Sequence, residues 1–326
     1  MKTVIIGIHG LGNKPDQEIL YKWWQAAIDE GLSRASLNPG PYELDLVYWA
    51  DLLHETPQDP DIEDKSDPLY IEDPYTPSDP TQNNNNKPSE RRKKILNMIG
   101  HQLDGIFLNK NLTINFTSVN DFVIRRFFKD LAVYYNTLHE DEKDFDPEKK
   151  ELIRARFAET LLKHRKKRIM IIAHSMGGII AFDVLTALGA KVVVDTLVTV
   201  GCPLGLPIIR SKIAAEHSIN DDPKSMLRTP VNVIGSWYNL ADLRDKIALY
   251  YQLSESFRPN IFNVGVKDIV VTNDYRYKEL KNPHKVYGYL RTPEMSDIIH
   301  RFLTCKPPGL ISRFRNWLGA LTVKWF

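Results

Sequence analysis

The sequence predicts an α/β fold in which a mostly parallel central sheet is covered by helices on both faces. Short apolar runs that fit buried strands recur at residues 4–8, 44–49, 169–173, 196–200, 231–237 and 261–266, and most of them end at Gly, Pro or Asn. Stretches of helical periodicity lie between several of these runs, which is the alternation expected when each strand must be covered on both sides. The chain has 326 residues, 43% of them hydrophobic and 26% charged. Two domains, or one large α/β domain with insertions, both fit that length and can bury a substantial core.

The first run follows Met1-Lys2-Thr3 and reaches His9-Gly10 without a small-residue cleavage site, so it reads as a buried strand and not as a secretory leader. Ile19, Leu20, Trp23, Trp24 and Ala27 fall at helical spacing behind it. After the second strand the pattern breaks. Residues 55–90 hold seven prolines, ten acids and the run Asn83-Asn84-Asn85-Asn86, a composition that cannot bury enough to fold alone. It fits a mobile surface insertion or part of a lid over a site. Helical patterns then resume, with Ile95, Met98, Ile99, Leu103 and Ile106-Phe107 forming one apolar face, followed by residues 122–135 and 151–162. The expected organisation is a core of residues 1–54 and 166–308, an insertion at 55–165, and a C-terminal amphipathic helix at 309–326.

Charge and cysteine content narrow the function classes. With 43 Lys and Arg against 41 Asp and Glu, no global field draws the chain to nucleic acid. The basic run Lys163-His164-Arg165-Lys166-Lys167-Arg168 sits where a helix ends, a place its dipole favours for cations. No Gly-rich phosphate loop is present. Cys202 and Cys305 form no metal-ligand spacing, which suits two reduced thiols in a cytoplasmic protein and gives no sign of a metal site. No run approaches the roughly 18 apolar residues of a membrane span.

The strongest chemical signal is Ile171-Ile172-Ala173-His174-Ser175-Met176-Gly177-Gly178, followed by helical spacing over residues 179–188. A strand, a sharp turn and a helix with small residues two before and two after a serine form a nucleophile elbow, because the turn is strained and its neighbours pass close. Ser175 would stand at the carboxyl end of the sheet, at the positive end of the helix dipole. An oxyanion hole needs two donors. One comes from the residue after the nucleophile, Met176, and the other from a loop after an earlier strand, here His9-Gly10-Leu11-Gly12-Asn13 with the Leu11 N–H.

These segments, with the turn Gly201-Cys202-Pro203-Leu204, resemble the α/β-hydrolase superfamily, specifically its lipase and esterase-like members. That resemblance implies a triad in the order Ser, acid, His, so the acid and base should follow Ser175 at strand ends. Two carboxylates compete for the acid. Asp245, two residues before Ile247, fits the family's Asp-x-Val pattern; Asp242 is the alternative. Residues 245–250, Asp-Lys-Ile-Ala-Leu-Tyr, also resemble the Asp-Pro-Val-Ala-Tyr segment of DDHD-type phospholipases, with Lys246 replacing the proline. Among nine histidines only His217, His284 and His300 follow Ser175; His217 precedes the acid, and His300 falls within an apparent helix. His284, in a turn-rich loop before that helix, is therefore the candidate base, and His174 reads as structural support.

The implied activity is hydrolysis of an acyl ester through an acyl-serine, with no cofactor or metal. A thioesterase or amidase of the same fold, and a non-catalytic acyl-binding protein, are the alternatives. Leu310, Phe314, Trp317, Leu318, Leu321 and Trp325 fall at helical spacing among Arg313, Arg315 and Lys324. Such a helix fits peripheral contact with a membrane, which would favour a lipid substrate, or packing on protein.

Overall fold

Side chains alternate along a strand, so an apolar run without polar gaps must be covered on both faces. The computed structural model describes residues 2–79, 147–217, 226–248 and 250–305. In chain order the main elements are β1 (Thr3–Ile8), α1 (Gln17–Arg34), β2 (Leu44–Val47), α2 (Pro147–Lys163), β3 (Arg168–His174) and α3 (Met176–Leu188). They continue with β4 (Val194–Val200), α4 (Pro207–Glu216), β5 (Val233–Ala241), β6 (Val266–Val270), α5 (Val286–Leu290) and α6 (Pro293–Thr304). Six parallel strands make one sheet in the order β2-β1-β3-β4-β5-β6. This is an α/β-hydrolase fold.

The two faces of the sheet bury separate clusters. Val4, Ile6 and Ile8 pack with Phe157 of α2 and Ile179 of α3, together with Ile209 of α4. Ile5 points the other way, against Leu20, Trp24 and Ile28 of α1 and Ile299 of α6. The helical pattern read at residues 19–27 is the middle of α1, whose start is fixed by the Asp16 side chain accepting from the Glu18 N–H at 2.8 Å.

Two strand readings need correction. The run 261–266 is not a strand, and Ile261 is 67% exposed. The Asn260 side chain accepts from the Phe262 and Val264 N–H groups at 3.0 and 3.1 Å, folding the run into a turn, and β6 starts only at Val266. The run 231–237 starts two residues late and continues to Ala241, because neighbours on both sides, β4 and β6, supply ladder partners for the whole length. The helical patterns at 95–107 and 122–135, and the amphipathic stretch 310–326, lie outside the described residues.

The ladder register decides where the site can be. Ile8 lies opposite Ala173, His174 opposite Val200, and Val200 opposite Leu240. The residues that follow β1, β3, β4 and β5 therefore leave the sheet at one edge. The chain runs from β1 to one side, into β2, and from β3 to the other, so the crevice between β1 and β3 is a topological switch point, the usual ligand position in open α/β sheets.

Charges follow the layers. In the basic run, Lys163 and His164 bond Asp45, Lys167 bonds Glu43, and Arg168 bonds Asp195 and the Phe302 carbonyl. It is a solvated, paired helix end and not a patch for polyanions. On the opposite end of α3, buried Asp183 pairs with Arg154 of α2 at 2.6 Å and His217 at 3.3 Å. Burial alone would raise its pKa, but the hydrogen bond from His217 and the Arg154 charge outweigh it, and the carboxyl titrates below the usual range. Its stabilisation is therefore present above about pH 4 and lost as pH falls through the folded-state value. Asp183→Asn is expected to cost about 3 kcal/mol at neutral pH, since one partner of a buried pair is removed. Urea unfolding at pH 7 and at low pH checks this, and the deficit should shrink in acid.

Candidate active site

Ser175 caps the N-terminus of α3 at φ 53° and ψ −124°, a conformation that costs a non-glycine residue about 1–3 kcal/mol. Two backbone bonds hold the turn, from Ser175 N–H to the Val200 carbonyl and from Gly178 N–H to the Ser175 carbonyl, each 3.0 Å. The turn requires close neighbours. A Cβ at Gly177 would lie 2.6 Å from the Ile8 carbonyl oxygen and 2.8 Å from that of His9, and one at Gly10 would lie 2.8 Å from the Ser175 Cβ. Glycine at these positions lets the end of β1 press against the start of α3.

His284 reaches Ser175 from the opposite side. Its Nε2 is 3.1 Å from the Ser175 Oγ, and its Nδ1 is 3.0 and 2.9 Å from the two carboxylate oxygens of Asp245. The Asn282 side chain accepts from the His284 N–H at 3.0 Å, and the His174 Nε2 donates to the His284 carbonyl at 2.8 Å. Burial pushes the His174 pKa well below its ordinary value, so the ring stays neutral and serves as a fixed donor. Its position agrees with the supporting role read from the sequence.

The structure brings Asp245, and not Asp242, to the histidine. Asp245 is buried and accepts from the Ile247 N–H at 2.9 Å, the Ala248 N–H at 3.4 Å and the Tyr289 hydroxyl at 2.8 Å. Asp242 instead bonds the Arg244 side chain and the Asn273 N–H, which ties the end of β5 to the loop after β6. The two carboxylates share one link, because the Tyr289 hydroxyl accepts from the Asp242 N–H at 3.0 Å while donating to Asp245. Tyr289 has no sequence pattern that marks it. It becomes visible only once α5 is placed beneath the acid loop.

On the other side of Ser175, the loop after β1 is held by His9 and Lys14. The His9 Nε2 accepts from the Trp49 N–H at 3.1 Å, so the proton is on Nδ1, which donates to the Gly10 carbonyl at 2.8 Å. Burial and the Lys14 charge keep His9 neutral well below its ordinary range. The Lys14 ammonium gathers the carbonyls of Leu11, Gly12 and Asn13. Leu11 and Gly12 line the same cavity as Ser175, and Met176 opens α3 beside it.

That cavity encloses about 840 Å³. One wall comes from the segment that the sequence left open between surface insertion and lid. Within the described part, Pro68, Tyr70, Ile71 and Asp73 face the cavity. The segment is anchored. Arg291, 2% exposed in its side chain, bonds Asp274 at 2.6 Å, Glu30 at 3.2 Å and the Thr76 carbonyl at 2.7 Å. Tyr75 and Ser78 also donate to Glu30, and Asn282 donates to Asp73 at 2.7 Å. Among the described residues no cluster of His, Cys, Asp and Glu could hold a metal ion.

With that geometry in hand, residues 147–251 match a family model for the PGAP1-like alpha/beta domain, a lipase/esterase-like α/β-hydrolase family. The match spans the elbow and the acid loop and stops before His284. No curated protein and no solved structure matches the chain. The family and the parallel sheet together identify an esterase/lipase-like hydrolase in general.

Because Gly177 abuts two backbone carbonyls that cannot swing away, Gly177→Ala is expected to destabilise the protein by about 2 kcal/mol through overpacking. Comparison of urea midpoints with the parent protein checks the size.

Proposed function

We propose that this esterase/lipase-like hydrolase cleaves carboxylic esters through an acyl-serine, with Ser175 as nucleophile, His284 as general base and acid, and Asp245 as the orienting carboxylate. The observation that carries the reading is the unbroken run of hydrogen-bond distances from the Ser175 Oγ through the His284 ring to Asp245. In this reading the His284 Nε2 takes the Ser175 proton as the Oγ attacks the carbonyl carbon. Asp245 fixes the proton on Nδ1 and stabilises the imidazolium. The tetrahedral oxyanion is met by the backbone N–H groups of Met176 and Leu11 at the positive end of α3. His284 then passes its proton to the departing alcohol oxygen, the C–O bond breaks, and the acyl-serine remains. Water, deprotonated by the same nitrogen, releases the acid and restores Ser175.

The strained turn at Ser175 supports this assignment, since strain of that kind is kept where a side chain must be presented. The buried donors around Asp245 do so as well. His9 and His174 stay neutral through the working range, so His284 is the one site histidine left to govern the acid limb of a pH profile.

Labelling by a fluorophosphonate with peptide mapping tests the proposal. Adduct confined to Ser175, absent in Ser175→Ala and strongly slowed in a folded His284→Ala, is the expected result; a folded native protein that resists the probe would refute it. Asp245→Asn is expected to lower kcat by about 10⁴-fold, because the imidazole loses its tautomer and partner. Asp242→Asn should act on stability instead, read as a lower unfolding midpoint with labelling at Ser175 preserved. For peripheral membrane contact through residues 310–326, we propose vesicle sedimentation of the full chain and of a chain ending at 309. Equal binding by both would remove that idea.

A further inference from the structure

The cavity beside Ser175 carries polar groups that hydrolysis leaves unused. Trp24 lines it, is 0% exposed, and has an indole Nε1 with no hydrogen-bond partner. Its Cε3 and Cζ3 atoms press toward Gly7, where a Cβ would lie 2.9 and 2.8 Å away, which leaves Nε1 on the other edge of the ring. A buried donor left unsatisfied costs about 1–3 kcal/mol, so its persistence calls for an acceptor from outside the chain. Lys285 lines the same cavity, with its Nζ 5.5 Å from the centre of the Tyr287 ring. Among the described residues no carboxylate is within ion-pair distance of it. Glu72 and Asp73 share the wall and act on it only at longer range, and one oxygen of Asp73 is taken by Asn282.

We propose that Trp24 Nε1 and Lys285 Nζ form a subsite for an anionic oxygen group, a carboxylate or a phosphate, carried on the alcohol arm of the ester. This rests on the serine-hydrolase reading above. The anion supplies the acceptor that the indole lacks and the counter-charge that the ammonium lacks. The alcohol arm is assigned because His284, next in the chain to Lys285, is the group that protonates the leaving oxygen. Burial also pulls the Lys285 pKa down, more than the two acids raise it, so an arriving anion would favour the charged ammonium.

The test compares kcat/KM for the octanoyl esters of glycerol, glyceric acid and glycerol 3-phosphate in the native protein, Lys285→Met, Lys285→Arg and Trp24→Phe. Preference for an anionic ester over the neutral one is expected, falling about tenfold or more in Lys285→Met and less in Trp24→Phe, and largely kept by Lys285→Arg. Which anionic ester is preferred separates carboxylate from phosphate. Equal use of all three esters by the native protein, or an unchanged ratio in Lys285→Met, overturns the subsite. Should the native protein hydrolyse no ester and resist fluorophosphonate, the hydrolase reading fails by itself. Calorimetric titration of Ser175→Ala with inorganic phosphate and acetate then decides the subsite: binding lost on adding Lys285→Met supports it, and no binding at millimolar concentration overturns it.

Discussion

A single strained residue sets the terms for the whole edge of the sheet. Ser175 keeps φ 53° and ψ −124° only because β4 accepts its N–H, α3 begins at once behind it, and glycines at 10 and 177 let the end of β1 come within contact of both. Each of those supports comes from a different strand or helix. The parallel register, with His174 opposite Val200 and Val200 opposite Leu240, brings them to one level. Loss of any one would let the turn relax toward an ordinary helix start, and the Ser175 Oγ would leave the reach of the His284 Nε2.

Around that turn the polar groups form two connected networks with different tasks. The inner one runs from Ser175 through His284 to Asp245, Tyr289 and the Asp242 N–H, and nearly every member is buried. Because a low-dielectric interior magnifies both good and missing hydrogen bonds, its geometry is tightly specified. The outer one is ionic, centred on Arg291 between Glu30 and Asp274, and it fastens residues 74–78 to α1 and to the start of α6. A proline-rich, acidic segment with little apolar surface gains its fixed course from these charges and not from a core of its own. The cavity wall next to Ser175 is thereby part of the rigid body.

Much of this was legible in the residues. Apolar runs bounded by breakers located β1, β3 and β4, and the small residues flanking Ser175 marked the elbow, because steric constraints act over a few neighbouring positions and leave a local trace. The run 261–266 misled for the same reason: its apolar pattern is real, but the side chain of Asn260 competes for its backbone N–H groups and wins. Residues 245 and 242 could be separated only by a family pattern, since both follow the same strand and both are buried.

By itself, then, the sequence determined the α/β architecture, the turn at Ser175, the loop at 9–13 and a short list of carboxylates and histidines. Tertiary structure alone decided which carboxylate meets His284, that Tyr289 joins both acids, that Arg291 pins the proline-rich wall, and that Trp24 and Lys285 share one cavity with Ser175. The physical reason is distance along the chain. Turn strain and strand periodicity are properties of adjacent residues, whereas a hydrogen bond between residues 245 and 284, or a cavity lined by residues 24, 73, 175 and 285, exists only once the sheet register has brought those segments together.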